Sequence, residues 1–360
     1  MGSEKNPLDL AAEYIANARA GRRPPRHGDD HVVRMPTAGR EAPQPEQEDE
    51  RQRPVKLIGL SDFLAQKFPP RDNLLAPWLP SQGLCMVFAQ RGIGKTHFAL
   101  GVAYAVASGG AFLGWEAPEP KGVLYLDGEM PAGAMQERLA AIVASAEHEA
   151  AAPFDILTPD LQPEGMPRLD SAQGQDAIES ILTPEHKLIV VDNISTLTAT
   201  RENEADGWST TQAWALRQRS AGRSVLFIHH AGKGGAQRGT SRREDVLDTS
   251  IRLSRPQDYD PRQGACFEIH FEKARGILGE DVASLEATLA AGPDGSQTWV
   301  TRTVEESTFD RVVDLLREGL SQKEVALELE INKSNVNRHA KRAVAGGYLT
   351  DEQAGTRSKK

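Results

Sequence analysis

Five short apolar runs punctuate the middle of the chain: Leu84–Ala89, Gly122–Leu126, Phe154–Leu157, Leu188–Val191 and Val225–Ile228. Apart from Asp155 they are apolar throughout rather than alternating, so each reads as a strand covered on both faces, as in a parallel sheet. Helical patterns fill the intervals at about 95–108, 131–150, 171–182 and 205–221. Strand and helix in alternation predict a mainly parallel sheet with helices on both sides, an α/β core. After residue 249 the segments Ser250–Ser254, Ala265–Phe271, Val282–Leu289 and Thr298–Thr301 alternate in polarity. They suit antiparallel strands added at a sheet edge.

The 360 residues exceed one ordinary domain, so a large core with a smaller unit is expected. Residues 1–55 are rich in Pro, Arg, Glu and Gln, cannot bury a core, and are predicted disordered apart from a short helix near Leu8–Ala20. The core is expected over 56–302, with a polar linker at about 302–308, a helical module over 308–350, and a flexible tail over 351–360. Cys85 and Cys266 lie far apart, without the spacing of a thiolate metal site or disulfide framework, and read as small buried apolar residues. No apolar run has the length to span a bilayer, and the first residues are polar and acidic, so no membrane partner and a cytoplasmic location are expected. The net charge of −9 leaves a polyanionic partner to be decided by local patches.

One such decision falls at Ala89-Gln90-Arg91-Gly92-Ile93-Gly94-Lys95-Thr96, which follows a buried strand and opens a helix. Gly92 and Gly94 allow backbone N–H groups to converge on phosphate oxygens, and the helix N-terminus adds positive partial charge. Lys95 is placed for the β- and γ-phosphates and the Thr96 hydroxyl for Mg²⁺, which makes ATP with Mg²⁺ the expected ligand. Ala89 stands where the usual pattern has its first glycine. Asp192, ending the run Leu188–Val191, is the second expected Mg²⁺ partner. Glu129, just beyond the second run, can polarise an attacking water if its strand neighbours that of the phosphate loop; Asp127 is its rival. His229 and His230 end the fifth run, where a polar side chain could sense the γ-phosphate.

These motifs in this order resemble the RecA-like core of hexameric replicative helicases among the AAA-type P-loop ATPases, most closely the plasmid RepA type, over about Trp78–Thr301. The resemblance implies Lys95 and Thr96 as the Walker A pair, Glu129 as catalytic glutamate, Asp192 as Walker B aspartate, and His229 or His230 as γ-phosphate sensor. It also implies a residue reaching a neighbouring subunit's ATP. Lys273 and Arg275 in Phe271-Glu-Lys-Ala-Arg-Gly276 are similar to the family's finger, and Arg252 is the rival. Such proteins touch nucleic acid through channel loops, for which Lys233, Arg238, Arg242 and Arg243 among glycines have the composition.

The last fifty residues read as a helix-turn-helix. Ser321 and Glu324 form a capping-box pattern, and the third helix carries Lys333, Asn335, Asn337, Arg338, His339, Lys341 and Arg342 without one acid. That composition suits a helix reading duplex DNA. Gly346-Gly-Tyr-Leu349 and the polar tail suggest a wing, as in winged helix modules. The expectation is a ring, a hexamer, that hydrolyses ATP on DNA, with single strands in the ring and duplex on the winged helix, acting as a helicase or helicase loader of plasmid or phage type. The alternative is a DNA-binding replication or transcription regulator that uses ATP as an assembly switch.

Overall fold

The computed structural model describes residues 56–68, 70–198, 204–231, 245–256, 259–260, 262, 264–292 and 296–356. The readings made for residues 1–55, and for Lys233, Arg238, Arg242 and Arg243, lie outside them. Of the described residues, 56–68 and 70 belong to a unit of their own. In it the helix α1 (Leu60–Ala65) buries none of its side chains.

The larger unit is organised around a nine-stranded sheet. In chain order its flanking hairpins and strands are β1 (Asn73–Leu75), β2 (Leu79–Pro80), β3 (Leu84–Ala89), β4 (Ala111–Phe112), β5 (Trp115–Glu116), β6 (Gly122–Asp127), β7 (Phe154–Leu157), β8 (His186–Asp192), β9 (Ser224–His230), β10 (Thr249–Ser254), β11 (Cys266–Ala274), β12 (Leu285–Ala291) and β13 (Gln297–Thr303). The helices are α2 (Lys95–Ser108), α3 (Ala132–Ser145), α4 (Ala172–Ile181), α5 (Ile194–Leu197), α6 (Glu204–Ser220), α7 (Val304–Arg317), α8 (Gln322–Glu328) and α9 (Lys333–Ala345). The sheet order is β13-β12-β11-β10-β3-β9-β8-β6-β7, while β1–β2 and β4–β5 form separate two-stranded pairs.

Both faces of the central strands β3, β6, β8 and β9 are covered, which is why these strands look almost uniformly apolar in sequence. Along β3, Cys85, Val87 and Ala89 enter one core while Leu84 and Met86 enter the other. Residues Leu188 and Val190 of β8 likewise part from Ile189 and Val191. The first core holds α2, apolar on nearly every side and therefore buried as a whole. Around it Trp78, Phe98, Phe112 and Trp115 pack ring to ring with Phe267 and Trp299 from the antiparallel strands. Gly101 is required in α2 because an added Cβ would lie 2.2 Å from the Phe112 ring. The second core places Trp208 and Trp214 of α6 over the opposite face.

Three expectations are corrected. β10, read as the first antiparallel edge strand, pairs parallel to β3, with Thr249 opposite Cys85 and Leu253 opposite Ala89. Only β11, β12 and β13 are antiparallel additions. The segment 302–308 is no linker: β13 runs directly into α7, where Thr303 and Glu306 form a capping box. The Glu286 carboxylate of β12, 4% exposed, accepts from the Ser307 hydroxyl at 2.7 Å, from Arg302 at 2.9 Å and from Arg311. That network fastens α7 to the sheet. Finally, no strand follows α9 among the described residues. Residues 346–355 form turns and bends without a strand, and Leu349 and Ala354 enter the apolar centre of α7, α8 and α9 in place of a wing.

Candidate functional site

The loop between β3 and α2 has positive φ at Gly92 (78°) and Gly94 (114°), conformations that glycine adopts without a Cβ penalty. Gly94 also faces the Phe267 ring, 3.3 Å from where a Cβ would stand. Lys95 is 7% exposed, and its Nζ donates to the Gln90 carbonyl at 2.9 Å and the Ala89 carbonyl at 3.3 Å. Burial lowers its pKa, opposed by the negative charges of Asp192 and Glu129. Gln90 and Arg91 are exposed, whereas Ile93 anchors the loop in the first core.

Asp192 ends β8 at 4% exposure. Burial raises its pKa, against hydrogen bonds from Tyr125, whose hydroxyl donates at 2.7 Å, and from Thr96. The Thr96 hydroxyl and Asp192 carboxylate thus meet at the start of α2, a pair of hard oxygen donors that fits Mg²⁺.

Glu129 does not sit on a neighbour of the phosphate-loop strand: β9 and β8 separate β6 from β3. It reaches the site nonetheless. Asp127 accepts from the backbone N–H of Glu129 (3.2 Å) and Met130 (3.1 Å) and from the Thr158 hydroxyl (3.0 Å). Asp127 is therefore consumed in shaping the turn that projects Glu129. The Glu129 Oε2 accepts from Asn193 Nδ2 at 2.5 Å and lies 3.5 Å from His230 Nε2. Asn193 Nδ2 is in turn 3.3 Å from His230 Nε2. Of the histidine pair, His230 faces this cluster. Burial, then the Lys95 charge, lowers its pKa, with Glu129 acting in the opposite sense. His229 is buried opposite Phe88 of β3.

Besides Tyr125, whose hydroxyl holds Asp192, Asn193 and Arg255 are absent from the sequence-based set and touch the site. Asn193 follows Asp192 directly, and that adjacency was the only signal available. Arg255 donates to the Gly92 carbonyl at 2.6 Å, and its guanidinium lies 3.7 Å above the Tyr259 ring. Nothing local marks Arg255; the parallel pairing of β10 with β3 brings it there.

Of the finger candidates, Lys273 and Arg275 lie elsewhere, whereas Arg252 stands opposite Phe88 of β3. Ala274 is opposite Thr249, which is opposite Cys85, so Lys273 and Arg275 sit toward the end of the sheet remote from their own phosphate loop. Arg275 Nη2 donates to the Asp245 carbonyl at 2.6 Å. Arg252 is held by Glu272 at 2.6 Å.

In the C-terminal helices Ser321 and Glu324 close the expected capping box. On α9, Lys333, Asn335, Arg338, Lys341 and Arg342 are exposed and Asn337 is half-buried. His339 is buried with Val336, Ala340 and Ala343 rather than belonging to the polar face. Arg338 and Arg342 lie 3.8 and 3.6 Å from Glu305 of α7. No helix among the described residues is long and apolar enough to cross a membrane.

A mainly parallel sheet with a glycine loop between strand and helix, and an acid ending a strand beside it, defines a P-loop ATPase of RecA-like fold. The family described as AAA domain matches residues 51–236, more than half of the chain, and the chain belongs to that family. Among solved structures it is similar to the KaiC-like protein PH0186 from the hyperthermophilic archaeon Pyrococcus horikoshii OT3, at 14% identity and TM-score 0.44, over 65% of this chain and 99% of that one. It is also similar to the RadB recombinase, at 16% identity and TM-score 0.38, over 58% of this chain and 88% of that one.

Proposed function

We propose that this ATPase is a ring-forming motor, a hexamer, that hydrolyses ATP while acting on DNA, as a helicase or helicase loader of plasmid or phage type. The meeting of Lys95, Thr96 and Asp192 with Glu129 and His230 beyond the ends of β3, β6, β8 and β9 carries the hydrolytic part of the proposal. Loop N–H groups from Gln90 to Gly94 cradle the phosphates, and Lys95 exchanges its carbonyl partners for phosphate oxygens. Thr96 and Asp192 would hold Mg²⁺, which when bound neutralises phosphate charge. Glu129 takes a proton from the attacking water as its oxygen bonds to the γ-phosphorus and the bond to the β-phosphate oxygen breaks. His230 senses the γ-phosphate.

Lys273 and Arg275, remote from their own loop, suit a role across a subunit interface. There a cation offsets the charge developing on the transferred phosphoryl group. Lys233, Arg238, Arg242 and Arg243 track single-stranded DNA, and the exposed face of α9 takes duplex phosphates and base edges. Mixing inactive Lys95→Ala and Arg275→Ala subunits tests the shared site. In a randomly mixed ring roughly a quarter of the interfaces regain both groups, so activity returns on mixing. Mixtures as inactive as their parents contradict it. The exposed basic face of α9 favours a second reading, a DNA-bound regulator that uses ATP to control assembly, for which hydrolysis would be slow and indifferent to single strands.

A further inference from the structure

We infer that Asn193 is a positioning residue for hydrolysis: its side-chain amide fixes the Glu129 carboxylate and ties that orientation to His230 at the end of β9. The inference rests on the reading of Glu129 as general base. Glu129 stands on a turn beyond β6, with its side chain 59% exposed. A free glutamate there keeps full rotamer freedom and spends little time aimed at one water. Asn193 is by contrast 1% exposed. Its Oδ1 accepts from the Thr196 N–H at 3.2 Å and caps α5, which settles which side-chain atom is oxygen and turns Nδ2 toward the site. One amide nitrogen then serves two partners, Glu129 Oε2 at 2.5 Å and His230 Nε2 at 3.3 Å. The bond to the carboxylate is charge-assisted and correspondingly strong. An amide has no proton to lose in this range, so it orients the base without competing for the proton that the base must accept. Residue 230 is also the last of its strand, directly before the basic segment containing Lys233. The same amide therefore joins the candidate base to the strand that precedes the basic segment in sequence.

Steady-state ATP hydrolysis and nucleotide binding by the full chain test this. Asn193→Ser keeps a capping oxygen and removes the donor. Asn193→Asp keeps the shape and the cap and places a carboxylate against Glu129. Both are expected to lower kcat by about ten-fold or more while KM and nucleotide Kd stay within about two-fold, the pattern of an interaction used only in the transition state. The double variant Asn193→Ser with Glu129→Gln is expected to be no slower than Glu129→Gln alone, because Asn193 acts through Glu129. Wild-type kcat in Asn193→Ser overturns the inference, as does a double variant slower than Glu129→Gln by a further factor of about ten. If Glu129→Gln itself hydrolyses ATP normally, the general-base reading fails and takes this inference with it. An inactive Glu129→Gln beside an active Asn193→Ser refutes only the role of Asn193.

Discussion

The Arg255 guanidinium donates to the carbonyl of Gly92 at 2.6 Å, linking the strand β10 to the crest of the phosphate loop across 163 residues of sequence. Stacking on Tyr259 holds the guanidinium plane in place. The contact is exposed, so its removal should affect the loop more than the fold. Arg255→Ala is predicted to raise KM for ATP several-fold, leave kcat within about two-fold, and cost under about 1 kcal/mol of stability. Steady-state kinetics with a denaturation curve reads all three.

Gly94 combines a φ of 114° with the Phe267 ring 3.3 Å from a prospective Cβ. Gly94→Ala meets both backbone strain of roughly 1–2 kcal/mol and a ring that must move. The expected result is a lower Tm together with loss of ATP binding in a titration calorimeter.

Glu286 is the anion on which Ser307, Arg302 and Arg311 converge. Burial raises its pKa, but the Ser307 hydroxyl and the two arginines outweigh it and hold the carboxyl below its usual range. Glu286→Ala removes the anion the three groups share, but Arg302 keeps Asp310 and Arg311 keeps Glu268, so the expected loss is that of charged hydrogen bonds, about 1.5–3 kcal/mol. Chemical denaturation should show it, and limited proteolysis should cut first near α7. Since the carboxyl titrates low in the fold, the wild-type contribution is present above its unfolded pKa and disappears as pH falls through the folded value.

His339 gives a second pH signature. Burial against Phe309, and then the charges of Arg338 and Arg342, lower its pKa, while Glu305 acts in the opposite sense. The unfolded chain therefore takes up this proton first as pH falls. Stability of the helical module should be fully present above about 6.5 and decline as pH drops toward the folded value. His339→Leu should flatten that slope in denaturation curves recorded between neutral pH and about 5.

The readable parts of this chain were those governed by local patterns. β3 begins and ends where its apolar run does, and α2 covers the predicted span, because a strand covered on both faces and a buried helix leave uninterrupted apolar signals. The orientation of β10 was hidden, since it depends on which strand lies beside it and not on its own residues. The linker reading failed through composition: Thr303 and Glu306 are polar, yet at that spacing they are a helix-start signal. The separation of β6 from β3 was equally invisible, so the route by which Glu129 reaches the site, through Asn193 and His230, had to be seen in three dimensions. Lys95, Thr96 and Asp192 could be proposed from sequence because a phosphate loop and a strand-terminal acid are short and contiguous, and the structure brings the three side chains together. Arg255 could not, as its partner is remote in sequence.

The most direct test of the DNA-motor account is steady-state ATP hydrolysis with and without single-stranded DNA, for the wild type beside Lys95→Ala and Arg275→Ala. The account predicts several-fold stimulation of the wild type by DNA and no activity in either variant. Negligible hydrolysis in every sample, with ATP still bound, would contradict it and leave the ATP-switched regulator as the better description.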